Sequence, residues 1–362
     1  MKPLTSVGHD VDDLDAALEL FHERGWTDGL PIVPPTEEKV ARFLHAAGRE
    51  PDEVLGRYAT RKRTVTAEKV AINAVMAGCR AEHFPVVAAI VEAMCQERFG
   101  LHGANASTGG MAVGFVVNGP IRNALAMNYR GNVFGPGNRA NASIGRAIRL
   151  VQQNVMGSVS GAGNAPKGGR DILDRSTMGQ PGKYACYHLP ENEEDFPTMT
   201  PLHVERGFRR EESVVTVFPS GGHVQVSLHA DGSAAAMVDT LVQYLIGAGR
   251  LGGRYAMVVL PPECIEIFVR DGWTKADIRA AILEKGTRSA AWAKRNGWPA
   301  TGGPIDRRGG AVLPGDEERM ITFAPKPDDM YIAIAGGPAG AFAYLIMPYG
   351  GLPVSQRIRV TA

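Results

Sequence analysis

"MAVGFVVNGP", residues 111–120, leads into "NVFGPGNRANASIGRAIRLV", residues 132–151. The first string is apolar and ends in Gly-Pro, which predicts a strand running into a turn. In the second, Ile144, Ala147, Ile148, Val151 and then Val155 recur every three or four residues. That spacing predicts an amphipathic helix with Arg146, Arg149 and Gln153 on its solvent side. A strand, a glycine-rich loop and a helix in this order are the elementary unit of an α/β fold.

The same alternation extends in both directions. Toward the N-terminus, "DDLDAALELFHER" (12–24), "TAEKVAINAVMAGC" (66–79) and "FPVVAAIVEAMC" (84–95) have helical spacing. Thr36 precedes Glu37 and Glu38 as an N-cap should, and Pro85 sits where a helix needs no N–H. Between them, "GWTDGLPIVPPTEEKV" reads as a packed linker or as a pocket wall carrying Trp26 and Asp28. Toward the C-terminus, "SVVTVFPS" and "HVQVSLHA" alternate like strands, and "YAMVVLPPE" is a further strand. "AAAMVDTLVQYLIGAG" and "TKADIRAAILEKG" are helices, the latter capped by Thr274. "DMYIAIAGGPAGAFAYLIMP" begins as a strand; beyond Gly340, helix and strand both remain open. Residues 157–212 lack strong periodicity, as linking or functional segments often do. The expected architecture is therefore α/β: two α/β halves with mixed sheets, 1–156 and 213–362, joined by the irregular segment 157–212.

Composition narrows the function. The 362 residues carry a net charge of only +1, and the basic residues form only short runs such as "RKR" at 61–63. A nucleic-acid surface needs a basic stripe, so that class is excluded. The first residues, "MKPLTSVGHDVDDLDAAL", are acidic and lack an apolar signal core, and no apolar run approaches bilayer length. The four cysteines, Cys79, Cys95, Cys186 and Cys264, are far apart and form no CxxC. That usage suits a reduced cytoplasmic protein, with Cys79 and Cys95 as core residues on helices. Homo-oligomerisation is the base-rate expectation for such a chain.

Four places could carry chemistry. In 132–151, glycines let a ligand approach a helix start. Arg139 adds a fixed charge there, and Asn138, Asn141 and Ser143 add donors. This reads as a carboxylate or phosphate clamp, or simply as a glycine turn capped by Asn141 or Ser143. In "FGLHGANASTGG" (99–110), His102 is a candidate acid or base beside Asn105 and Ser107, or a histidine serving loop carbonyls. In "GQPGKYACYHLPENEED" (179–195), Lys183 and His188 flank Cys186, the best nucleophile candidate, whose alternative is a structural thiol. Lys183 is also a candidate substrate-binding residue. No HxxxH or HExxH occurs; if a metal is bound, His188, His203 and Glu205 are the candidate ligands. His223 and His229 could share a strand face, a weaker signal. "AIAGGPAGAFAY" (333–344) has a GGxxG turn, but no acidic residue follows at dinucleotide spacing, so no nucleotide cofactor is expected.

"AVMAGCRAEHFPVV", "VNGPIRNALAMN", "VFGPGNRANASIGRAIRLV", "GQPGKYACYHLPENEE" and "PLHVERGF" resemble a group of uncharacterised bacterial proteins that accompany the small UGSC selenoproteins or their cysteine counterparts. The resemblance covers about residues 25–350. It implies a bacterial cytosolic protein and a two-component system with a thiol or selenol partner. The UGSC motif itself is missing from this chain, and the resemblance supplies no reaction.

The expected function is an enzyme, of lyase or hydrolase type, acting on a small anionic or carbonyl-containing substrate. Arg139 and the helix start bind the anion, and His102 moves protons. The alternatives are a co-catalytic or docking subunit of a thiol or selenol redox pair, and a His-ligated metalloenzyme.

Overall fold

The computed structural model describes residues 2–160, 172–228, 232–248, 251–297 and 311–360. The chain is α/β. Seven described strands form one mixed sheet: β1 Ala112–Asn118, β2 Tyr187–Pro190, β3 Val214–Ser227, β4 Ala256–Leu260, β5 Met330–Ile334, β6 Phe342–Pro348 and β7 Val354–Arg357. Their order is β5-β4-β6-β3-β1-β2, with β7 also on β3. The β1/β2 and β4/β5 pairs are parallel; the other pairs are antiparallel. Strands from all three expected parts of the chain thus pair side by side, and 157–212 itself supplies β2. Pairing is set by register between distant segments, which local periodicity does not report.

The long strand β3 organises the sheet. Its first half pairs with β1 on one side and β7 on the other, and its second half pairs with β6. Alternation decides which side chains face which layer. Val113, Phe115, Val117, Val215 and Val217 lie under helices Ala67–Met76, Phe84–Met94 and Arg139–Asn154. Val226, Val258, Ile332 and Leu345 lie under helices Ala234–Gly247, Pro262–Arg270 and Lys275–Gly286. Val116, Leu189, Phe218, Met257 and Ile346 form a third cluster on the opposite face. The sheet curls around this third cluster until its two edges meet. Just past β2, the Asn192 N–H donates to the Ile334 carbonyl at the end of β5, at 2.7 Å. The Gly336 N–H donates to the Tyr129 carbonyl at 2.9 Å, continuing the seam.

The caps at Thr36 and Thr274 and the Pro85 helix start are present. The helix of the opening string starts at Arg139, because Asn138 rather than Asn141 or Ser143 caps it by accepting from the Asn141 N–H. Its polar side is covered rather than exposed. Arg146 makes two hydrogen bonds to Asp28, and Gln153 donates to the Gly25 and Thr27 carbonyls. The segment carrying Trp26 and Asp28 is therefore packed against this helix. Burial opposes the Asp28 charge, but Arg146 holds its carboxyl below the usual range. Beyond Gly340 the chain is strand: Ala343 and Leu345 face the helices, and Tyr344 and Ile346 face inward. Among the described residues, no helix is long and apolar enough to cross a membrane.

Candidate functional site

A cavity of about 490 Å³ opens at the end of the sheet where β2 begins and β4 and β5 finish. Carboxyl ends of parallel strands and mouths of curled sheets are where small-molecule sites form. The sheet contributes Tyr187, His188, His223, Val259 and Tyr344 to its wall. Loop residues 132–135, parts of the 181–186 turn (Pro181, Gly182, Ala185 and Cys186) and the glycine turn after Ala335 add most of the rest.

Four rings meet there. Phe134 lies nearly parallel to His223, with centroids 6.0 Å apart and 18° between planes. Tyr187 stands edge-on to His223 at 4.8 Å, and Tyr344 is tilted against it at 4.9 Å. Phe134 also meets Tyr344 edge-on at 5.3 Å. These are the geometries favoured by ring quadrupoles. The Tyr187 hydroxyl donates to Gln180 Oε1 at 2.7 Å, which fixes that ring. Burial raises the Tyr187 pKa, so its phenol stays protonated. One side of His223 is open to solvent, yet the neighbouring rings withdraw enough water to lower its pKa.

His188 is the buried imidazole of this wall. It is 4% exposed, and its Nδ1 lies 3.2 Å from the Ala185 carbonyl. A carbonyl only accepts, so Nδ1 carries the hydrogen and Nε2 keeps the lone pair. No hydrogen-bond partner reaches that buried Nε2. Burial lowers the ring's pKa, against the pull of the Ala185 and Val133 carbonyls. The result is a neutral imidazole of fixed tautomer with one basic nitrogen unused.

Cys186 precedes it with φ 57° and ψ −179°, a region that L side chains seldom enter. Its Sγ donates to the Gly145 carbonyl at 3.2 Å. Gly145 permits this contact, since a Cβ there would run into the Ala185 carbonyl oxygen. Burial pushes the Cys186 thiol up to about 12, outweighing the opposite effect of Arg149. At neutral pH it is a thiol rather than the nucleophilic thiolate.

The other candidates sit elsewhere. His102 Nδ1 shares a hydrogen bond with the Tyr58 hydroxyl at 2.9 Å. Asn105 accepts from Gln152 at 3.1 Å, and the Ser107 hydroxyl bonds that of Tyr349. None of the three lines the cavity. Arg139 Nε donates to the Gly78 carbonyl at 3.0 Å, and Asn138 Nδ2 donates to that of Ala126 at 2.8 Å. Asn141 both accepts from and donates to the backbone of Asn128, and Ser143 lies 3.3 Å from His83 Nδ1. These residues tie the loop stem to the helix, and the loop's tip, Asn132 to Gly135, walls the cavity. Lys183 is ion-paired with Asp174 at 2.6 Å and bonded to Ser176; burial lowers its pKa while Asp174 opposes that.

His203 Nε2 donates to the Arg210 carbonyl at 3.3 Å, and Glu205 pairs with Arg279. His188, His203 and Glu205 are not gathered, and no cluster of three potential metal ligands occurs among the described residues. His229 lies outside those residues. No local spacing connects Phe134, Tyr187, His223 and Tyr344, which are spread along the chain from 134 to 344. Comparison with protein-family models and with curated proteins finds no match.

Proposed function

We propose that the cavity is the site of an enzyme that acts on a small carbonyl-containing molecule by acid–base chemistry. His188 takes the proton on Nε2 and returns it. The observation that carries this reading is that His188 lines the cavity and its buried Nε2 has no partner. Buried polar groups in folded proteins are normally bonded, so one left open is suited to a ligand. The Ala185 carbonyl supports the role, since it fixes the tautomer and stabilises the imidazolium formed during proton transfer. Addition, elimination and hydrolysis can each proceed through such a step. Phe134 and the ring cluster would orient the substrate.

The test is a panel of small ketones, amides, esters and unsaturated acids, assayed for turnover with wild type and His188→Gln. Turnover of at least one compound is expected, falling by about 10²-fold or more in the variant. Turnover that survives His188→Gln would overturn the assignment.

A further inference from the structure

Resting on that reading of the cavity, we infer that its ligand is uncharged, carries a flat ring and offers an N–H or O–H to His188. No Asp, Glu, Lys or Arg is found among the described residues that line the cavity. An ion entering it would shed water without meeting an opposite charge, which strongly disfavours binding. Of the cations on the flanking elements, Lys183 and Arg149 are paired with Asp174, and Arg139 Nε donates to the Gly78 carbonyl. Glu263, beneath the glycine turn, accepts from the Gly340 N–H. The wall instead offers rings. Phe134, Tyr187, His223 and Tyr344 line it and meet one another at varied angles, an aromatic wall that suits a guest ring. His188 Nε2 supplies one acceptor, so the matching group on the ligand is a donor. Ring, neutrality and donor together describe a heteroaromatic, phenolic or aryl-amide molecule. This is a different class from the anion expected at Arg139.

Three probes share one ring and differ in charge: benzamide, benzoate and phenyltrimethylammonium. Titration of the protein labelled with ¹³C and ¹⁵N at histidine reports binding at His188 and His223 by NMR. Benzamide is expected to move both rings and to bind at least about tenfold more tightly than either ion. Phe134→Ala, on the loop, should weaken benzamide by about threefold to tenfold while the remaining histidine signals keep their positions. Equal or tighter binding of benzoate or phenyltrimethylammonium at the same two histidines would overturn the ligand class and leave the cavity reading standing. If none of the three moves either histidine at millimolar concentration, the cavity reading itself fails, and the inference with it.

Discussion

His188 and Glu191 lie three residues apart on one edge of the sheet, and their surroundings are built in opposite ways. The Glu191 carboxylate, 1% exposed, receives Asn118 Nδ2 at 2.6 Å, the Leu202 N–H at 2.7 Å, Lys275 Nζ at 2.8 Å and the Ile334 N–H at 3.3 Å. Arg122 adds bonds to the Glu191 carbonyl and to Glu194. These contacts join β1, β2, β5 and the Lys275–Gly286 helix at the seam where the curled sheet meets itself. Each oxygen of this carboxylate is met by two donors. At His188 one nitrogen is bonded and the other is not. The carboxylate has its donors because it holds the fold together, whereas the imidazole keeps one site open and adds less to stability.

The largest effect that would sharpen this contrast is at Lys275. Lys275→Met leaves the Glu191 charge buried without its partner, and unfolding in urea should show a loss of about 3–5 kcal/mol. His188→Gln, which can still bond the Ala185 carbonyl, should lose less than about 1.5 kcal/mol. Equal losses would break the contrast between a structural and a functional polar centre.

A second histidine extends the comparison. His83 is 4% exposed, and its Nδ1 accepts from the Arg80 N–H at 3.3 Å. Burial, helped by Arg139, lowers its pKa from 6.5 to about 4. A base whose folded pKa is depressed stabilises the fold fully above its unfolded value, and that contribution is lost as pH falls toward the folded one. Between about pH 6.5 and about pH 4, wild type should therefore lose about 3 kcal/mol more stability than His83→Gln. Denaturation curves across that window check it; parallel curves for the two proteins would refute the assignment.

The smallest expected effect concerns the strain beside the cavity. With φ at 57° and ψ at −179°, residue 186 favours glycine. Cys186→Gly should be about 1 kcal/mol more stable than Cys186→Ala, since both lose the thiol and only one keeps the strained side chain. If alanine is equal or better, the backbone there is not strained, and the turn that presents His188 is held by less than the geometry indicates.

Local chemistry was legible in the chain to different depths. Thr36, Pro85 and Thr274 announced their helices because a cap acts over three or four residues. The loop of 132–137 was recognisable as special, but its purpose was not. Arg139, Asn138 and Asn141 look like free donors in a string of letters; in the fold, each donates to a backbone carbonyl, of Gly78, Ala126 and Asn128. His188 showed the reverse. It was one histidine among several beside a cysteine, and only burial revealed that its Nε2 lacks a partner.

The α/β alternation and most helix starts follow from local sequence, because hydrogen bonds and periodicity within a segment depend on neighbours a few residues away. The tertiary structure alone decided the strand order, the curl that brings Asn192 to Ile334, and the meeting of Phe134, Tyr187, His223 and Tyr344. Those depend on which distant strands pair and in what register. A side chain's exposure, partners and pKa follow only once that pairing is made.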